Sequence, residues 1–309
     1  EVVVQASDGS ISATQAISVT VTDVSNVLVV TTADDVDDSG ILTGAAYDAE
    51  WLNANKGADG AISLREAILA ANNASGTTLI QFAIPGTGTH TITLSSALPA
   101  ITSQVVIDGS TDDSFAANGS RPAIVLDGSD LHDYGLTLAG GASGSTIRGL
   151  ILRGFTQASL LIDTGSNDNV IAGNYIGALT PAGGATGGTQ PGDGIVVLGS
   201  RNVIGGSAAG DGNVVAGNNV GIRVDGEAAD DNVIIGNRIG TDATGTIAIG
   251  NWLSGILVRN GADGTVIGGL TAAERNIVSG NVYDGIDISA ASTTGTVVRG
   301  NHIGIDASG

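Results

Sequence analysis

The strongest constraint on the fold of this chain is a five-residue phrase that recurs at a nearly fixed interval in its second half. The phrase Gly-Asn-X-Ile-Gly occupies positions 173–177, 236–240 and 300–304, so its asparagines recur at an almost constant interval of roughly 63 residues. Self-similarity at a fixed period is typical of solenoid proteins, in which each repeat packs only on its neighbours. The period therefore predicts a repeat architecture.

A second phrase divides the repeat into shorter units. Variants of Asn-Val-Val begin at Asn169, Asn213, Asn232, Asn276 and Thr296, at steps of 44, 19, 44 and 20 residues. If 44 residues form two coils and 19–20 form one, then one repeat contains three coils of about 21 residues. Coils that short suit strands joined by tight turns. We therefore predict an all-β fold, a parallel β-helix, with regular repeats over residues 146–309.

The repeated asparagines are predicted to be structural. We expect one column formed by Asn174, Asn237 and Asn301, and another formed by Asn213 and Asn276. Stacked strands lie about 4.8 Å apart, so like amides hydrogen-bond along a ladder. A polar row that binds sugar is the functional alternative. Residues 178–190, rich in Gly, Thr and Ala, are the main irregularity in the pattern.

The first half of the chain contains one helix signal. Ser63 and Glu66 have the spacing of a capping box, and an apolar stripe at helical spacing follows them. We predict a helix over residues 63–73 that covers the first coil of the β-helix, within a cap-and-first-coils region spanning residues 26–145. Arg65 is expected to pair with a neighbouring carboxylate.

Residues 1–25 contain two β-branched runs, 2–9 and 15–23, around a turn rich in Ser and Gly, which predicts a hairpin. They resemble the last two strands of a cadherin-like or immunoglobulin-like module. Asp23-Val24-Ser25-Asn26 is similar, imperfectly, to the calcium linker of cadherins.

Residues 61–68, Ala-Ile-Ser-Leu-Arg-Glu-Ala-Ile, resemble the motif that names the CSLREA-domain surface proteins, with Ile62 where that family usually has cysteine. Four further segments look like the right-handed β-helix repeats of the same family: residues 82–86, 106–111, 144–150 and 240–246. The resemblance covers roughly residues 27–309. It implies a large bacterial exported protein, often multi-module and attached to the cell surface, and it implies no established chemistry.

Charge and composition limit the partners. The net charge is −20, from 31 acidic and 11 basic residues, which disfavours nucleic acid and anionic lipid and favours divalent cations. Apolar runs are too short to span a bilayer, so we expect no membrane insertion by this segment. Without cysteine, neither disulfides nor thiolate metal sites form. We expect a fragment of a longer extracellular or cell-surface chain, whose partners are glycans, other surface proteins or copies of itself.

One acidic run is a candidate metal site. Asp34, Asp35, Asp37 and Asp38 offer the oxygen ligands that calcium prefers, but they lack the spacing of a calcium loop. The run fits either a calcium site or a solvated acidic turn. We expect no other cofactor. His90, His132 and His302 are scattered and suggest no metal centre, although His302 shares its repeat position with Tyr175 and Arg238, which marks a variable outward site.

The main functional alternatives are a structural stalk or adhesive segment, a polysaccharide-binding or polysaccharide-cleaving protein, and a self-assembling filament. Cleavage needs two carboxylates about 5–10 Å apart, for which the candidates are Asp193, Asp225, Asp284 and Asp287. A lyase also needs a basic cluster, whereas the arginines at 148, 153, 201, 223 and 259 occur singly. We therefore predict no catalytic site and favour the stalk or adhesin.

Overall fold

The structure, a computed structural model, describes residues 2–7, 12–17, 26–188 and 190–309. Near the start, β1 (Val2–Ser7) pairs antiparallel with β2 (Ser12–Ile17). This hairpin agrees with the predicted one, but its second strand begins earlier, and residues 18–25, including most of the proposed cadherin-like linker, lie outside the described residues. Assignment of the hairpin to a cadherin-like module stays a prediction.

The first sheet is parallel and has nine strands. Its strands, in spatial order from one edge, are β3 (Val27–Val30), β4 (Thr78–Phe82), β6 (Val105–Asp108), β8 (Thr146–Arg148), β10 (Val170–Ala172), β13 (Val203–Gly205), β16 (Val233–Ile235), β19 (Val266–Ile267) and β22 (Val297–Val298). Spatial order follows chain order throughout, so each new strand is added at the same edge.

The second sheet has twelve strands, and its neighbouring strands are also parallel. It begins with β5 (His90–Thr93), β7 (Ile124–Leu138) and β9 (Leu150–Ile162). Two rows of strands extend from β9. One row is β11 (Tyr175–Gly177), β14 (Val214–Ala216), β17 (Arg238–Ile239), β20 (Ile277–Val278) and β23 (His302–Ile303); the other is β12 (Asp193–Val197), β15 (Ile222–Asp225), β18 (Ile256–Arg259) and β21 (Ile286–Ile288).

The spacing of paired residues corrects the predicted coil length. Val170, Val203, Val233, Val266 and Val297 are successive partners in the first sheet. The chain therefore returns to this sheet at intervals of roughly 30 residues, a common repeat length in solenoids. The prediction of three short coils per repeat is wrong, because one full repeat contributes two strands to the first sheet, as β10 and β13 do before β16. The error arose because Asn169 and Asn232 precede strands of the first sheet, whereas Asn213 and Asn276 precede strands of the second.

Alternation along each strand builds the apolar core. In the first sheet Ile171, Ile204, Ile234 and Ile267 are fully buried, while the valine before each is half-buried. Successive side chains point to opposite faces of a sheet, so the isoleucines stack inward along one line. The main core cluster continues from Leu28 to Val278 in this way.

Helices are few and short. They are α1 (Ala49–Ala54), α2 (Leu64–Asn73) and α3 (Asp113–Ala117), with single 3₁₀ turns at Ala45–Tyr47, Gly109–Thr111, Gly140–Ala142 and Ala272–Glu274. The apolar stripe of α2 is buried in the core cluster that contains Leu28 and Val30 of the edge strand β3. Within the described ranges, none of the helices is long and apolar enough to cross a membrane.

The segment expected to be irregular belongs to the repeat. An antiparallel bridge joins Leu179 to Ala185, and a similar one joins Thr241 to Ala248 in the next repeat. The loops also stack, since Gly183 O accepts from Ala243 N and Gly245 O accepts from Ala307 N, both at 2.9 Å. We call residues 178–188, 241–248 and 305–309 the loop ridge.

Candidate functional site

The asparagines of the repeat form one ladder along the second sheet, not the two columns predicted from spacing. The ladder runs in the order Asn174, Asn213, Asn237, Asn276 and Asn301. Each Nδ2 donates to the Oδ1 of the next residue, at 3.1, 3.0, 3.0 and 2.9 Å. Each backbone N–H donates to the same Oδ1, at 2.9–3.2 Å. The two predicted columns therefore alternate within a single continuous network.

Two shorter ladders have the same chemistry. One joins Asn169, Asn202 and Asn232, and the other joins Asn218, Asn251 and Asn281. Except at the last member of two of the ladders, Asn281 and Asn301, these side chains are fully buried. The buried amides bond to one another and to nearby backbone groups, apart from Asn218 Oδ1, which is buried without a partner, so the ladders are not available to a sugar.

The capping pair Ser63 and Glu66 lies at the start of α2. The Ser63 hydroxyl accepts from Glu66 N at 3.2 Å, and Glu66 Oε2 accepts from Ser63 N at 2.9 Å. The other oxygen, Oε1, accepts from the backbone amides of Asp38 and Ser39. Glu66 therefore joins the helix to the acidic run.

Asp35 forms a shielded ion pair with Arg65. Asp35 Oδ1 accepts from Arg65 Nε at 2.9 Å, Oδ2 accepts from Nη2 at 2.7 Å, and the Asp35 side chain is 2% exposed. Burial raises the pKa of Asp35, but hydrogen bonds from Arg65 and Ser95 outweigh it and hold the pKa below its ordinary value. The expected partner of Arg65 is thus found, 30 residues away in sequence.

The rest of the acidic run is dispersed. Asp38 Oδ2 accepts from the amides of Ala58 and Asp59, while Oδ1 is buried without a hydrogen-bond partner. Asp34 bonds only to Thr32, and Asp37 is exposed. In the described part of the chain, no three of these carboxylates have ligand atoms within 4.8 Å of one another. Calcium binding by this run stays a prediction.

A different trio does come together. His90, Asp112 and Asp113 place one potential ligand atom each within 4.8 Å of the others. Asp112 already caps α3, accepting from the amides of Ser114 and Ile84, and His90 Nε2 lies 2.9 Å from Gly86 O. The role of Asp112 as the N-cap of α3 explains why these three side chains lie close together. Sequence spacing did not reveal it because β5 and α3 meet only in the fold.

The carboxylates considered for catalysis are engaged in ion pairs. Arg223 Nε donates to Asp193 at 2.8 Å, and Arg223 Nη1 donates to Asp225 at 3.1 Å. Asp225 also accepts from Arg259 Nε at 3.0 Å and from Asn260. Burial raises the pKa of Asp225, but the hydrogen bonds from Asn260, Arg259 and Arg223 outweigh this effect and hold the pKa below its ordinary value. A glycosidase acid needs a raised pKa, so Asp225 does not fit that role.

The remaining candidate carboxylates and arginines do not take part in the Asp193–Arg223–Asp225–Arg259 row of ion pairs. Asp284 is exposed, and Asp287 pairs in register with Leu257, which in turn pairs with Arg223. Arg148, Arg153 and Arg201 each have a carboxylate partner of their own, at 3.4, 2.9 and 2.8 Å. The candidate arginines thus form isolated pairs and one mixed row with their carboxylate partners.

A groove along the outside of the second sheet was not predicted. Two cavities, of about 490 and 450 Å³, share the lining residues Ala209, Gly210, Gly212 and Arg238. We call them together the Arg238 groove. Its floor is a column of register partners, one from each strand of the row that begins with β11: Tyr175, Val214, Arg238, Ile277 and His302.

Loops form the walls of the groove. On one side are residues 206–212 and 272–275; on the other are Ala243 and Ala307 of the loop ridge, with Phe115, Ser120 and Pro122 near α3. Tyr175 is largely buried under the ridge, and burial raises the pKa of its phenol although Arg121 and Arg238 draw it down. The sequence signal was the variation among Tyr175, Arg238 and His302 at one repeat position.

The charge of the groove is opposite to that of the chain. Its lining contains Arg148, Arg238, Arg275 and His302 but one carboxylate, Asp211, which accepts from the amide of Ala208. Arg148 is already paired with Asp108, so Arg238 and Arg275 are the lining arginines without a carboxylate partner among the described residues. Arg238 is half-buried, and its Nε is buried without a hydrogen-bond partner. A chain of net charge −20 thus has a cationic trough.

The sequence matches no protein-family model and no curated protein. The resemblance of residues 61–68 to the CSLREA motif therefore stays a prediction.

Proposed function

We propose that residues 26–309 form a right-handed parallel β-helix of the CSLREA type, and that this rod is a stalk or adhesive segment of a bacterial extracellular or cell-surface protein. The observation that carries the proposal is the five-member asparagine ladder, which runs without a break across successive strands of the second sheet. Continuous ladders hold stacked strands in one register and stiffen them along the stacking axis.

Strand order supports the architecture. From β10 onward the chain visits the first sheet, then the β11 row, then the β12 row, and then begins again. Parallel crossovers of this type are right-handed in about 98% of cases. Nine stacked strands at about 4.8 Å extend about 38 Å. In this architecture α2 covers the first coil. The repeats serve to give the stalk its length and do not carry out a reaction.

The ion pairs support a non-catalytic role. Asp193 and Asp225 are held by Arg223, and the lowered pKa of Asp225 keeps it ionised. A site of this kind stabilises strand register and leaves no free acid or base for glycan cleavage.

The architecture is tested by removing one whole repeat. Deleting residues 174–236 joins Gly173 to Asn237 and restores the phrase Gly-Asn-X-Ile-Gly across the junction. A β-helix loses two coils and stays folded, because each repeat contacts only its neighbours. The control deletes residues 174–221, a shorter segment. It joins β10 directly to β15 and so omits the strand of the β11 row that normally lies between them.

Circular dichroism and thermal unfolding compare the two deletions. We expect a cooperative transition and strand content in the 174–236 deletion and neither in the control. Unfolding of both proteins to the same extent would reject the β-helix. Cleavage of uronate or neutral glycans by the intact chain would reject the non-catalytic role.

A further inference from the structure

We infer that the Arg238 groove binds an acidic oligosaccharide whose carboxylates pair with Arg238 and its neighbouring cations. This inference deepens the adhesive part of the proposed function and rests on it. The site differs from the Arg–Asp pairs considered above, because Arg238 has no carboxylate within ion-pairing distance among the described residues.

The state of Arg238 is the first argument. Its Nε is buried and unpartnered, although buried polar groups normally find a hydrogen-bond partner. The half-buried side chain lines both cavities, so a ligand in either one contacts the exposed part of the guanidinium, while the buried Nε stays shielded. A guanidinium presents a planar fork of donors that matches a carboxylate, which points to an anionic ligand.

The distribution of charge is the second argument. Arg238 and Arg275 line the trough without a carboxylate partner among the described residues, Arg148 is paired with Asp108 at 3.4 Å, and Asp211 already accepts from a backbone amide. The floor column spans five strands, so at about 4.8 Å per strand the trough is about 19 Å long. Separated cations over that length suit a ligand with spaced charges. A dense polyanion such as nucleic acid is disfavoured by the net charge of −20.

The shape of the groove favours a sugar over a peptide. Peptides bind mainly by extending a free sheet edge or by placing apolar side chains in a hydrophobic groove. From Val214 to Ile277 the floor strands are paired on both sides, and the exposed wall residues 207–210 are Ser, Ala, Ala and Gly. Small residues and backbone polar groups leave room for hydroxyl-rich rings, and Arg238 supplies the charge contact.

The test uses the whole 309-residue chain in isothermal titration calorimetry with tetragalacturonate as the probe. We expect saturable binding that weakens as salt is added, because the contact is electrostatic. Cellotetraose, which is neutral, and tetraglutamate, which is an acidic peptide, should not bind measurably.

Two variants locate the site. Arg238→Gln should weaken tetragalacturonate binding about tenfold to a hundredfold, the loss expected for a charge-assisted contact. Ala209→Glu, at an exposed wall residue shared by both cavities, should abolish binding by placing a like charge in the trough. Neither change removes an ion pair, so both proteins should unfold near the temperature of the parent.

Arg201→Gln is the matched control, because it makes the same charge change at an exposed arginine outside the groove. It should leave affinity within about twofold. The inference is overturned if the intact chain does not bind, if cellotetraose or tetraglutamate binds equally well, or if Arg238→Gln and Arg201→Gln behave alike. The 174–236 deletion distinguishes failure of this inference from failure of the proposed fold. If the deletion variant folds and the intact chain does not bind tetragalacturonate, only this inference is rejected.

Discussion

Replacing Asn237 with alanine tests whether the asparagine ladder holds the strands together. Its Oδ1 accepts from the backbone N and Nδ2 of Asn213, at 3.1 and 3.0 Å. Its Nδ2 donates to Ile204 O at 2.8 Å and to Asn276 Oδ1 at 3.0 Å. Alanine removes these four bonds and a fifth, from Nδ2 to Ile235 O at 3.0 Å, and leaves the backbone amide of Asn213 without its acceptor. Each lost bond contributes about 1 kcal/mol, so losing all five predicts destabilisation of about 5 kcal/mol.

Asn301→Ala is the control, since Asn301 accepts from the backbone N and Nδ2 of Asn276 and donates to Ile267 O, but is the last member of the ladder and is partly exposed. Water can replace its lost bonds, so its expected cost is about 1 kcal/mol. Urea unfolding of both variants measures the difference, provided the slopes with denaturant are equal. Hydrogen exchange supplies a local readout: the amide of Asn213 should lose protection in Asn237→Ala, while that of Asn169, in another ladder, should not. Equal destabilisation by the two variants would refute the reasoning.

Three other perturbations follow from the same contacts. Ile234→Asp should destabilise by more than about 4 kcal/mol by burying an unpaired charge, whereas Val233→Asp, one residue away but half-buried and outward, should cost about 1; similar urea midpoints would contradict the assigned faces. Arg65→Gln should cost about 3 kcal/mol because it leaves Asp35 buried and unpaired, while Arg201→Gln, at an exposed pair, should not shift the midpoint; a shift as large in the second protein would refute this. The lowered pKa of Asp35 stabilises the fold above the unfolded value of about 4, and this stability is lost as pH falls further; Asp35→Asn should therefore show a smaller fall in melting temperature between about pH 6 and about pH 3 than the parent, and an equal fall would count against the pair.

The period of the repeat was readable from sequence, but its subdivision was not. The Asn-Val phrase occurs before strands of both sheets. The unequal intervals between its copies therefore combine two series of asparagines, one for each sheet, and each series has its own spacing. Only strand pairing separates the series, because it shows that Asn169 contacts Asn202 and that Asn174 contacts Asn213. Hydrogen bonds across 33 and 39 residues leave no local signature.

The local features were predicted well. The spacing of Ser63 and Glu66 predicted α2, which starts at Leu64. Charged contacts were harder to predict, since Arg65 reaches Asp35 and Arg223 reaches Asp193 across 30 residues each. The Arg238 groove depends on loops stacked beside the sheet, and loop lengths alone do not indicate which loops become neighbours.

The helix α2 packs against β3, which is the first strand of the first sheet in both chain order and spatial order. Each later strand of the first sheet pairs with the strand made just before it, as the order from β3 to β22 shows. Partners separated by about 30 residues meet soon after synthesis, and short loop closures are fast. The first sheet can thus form one strand at a time, starting at β3, while the polypeptide is still being synthesised. An error in the register of one strand would then affect only the strands that are added after it.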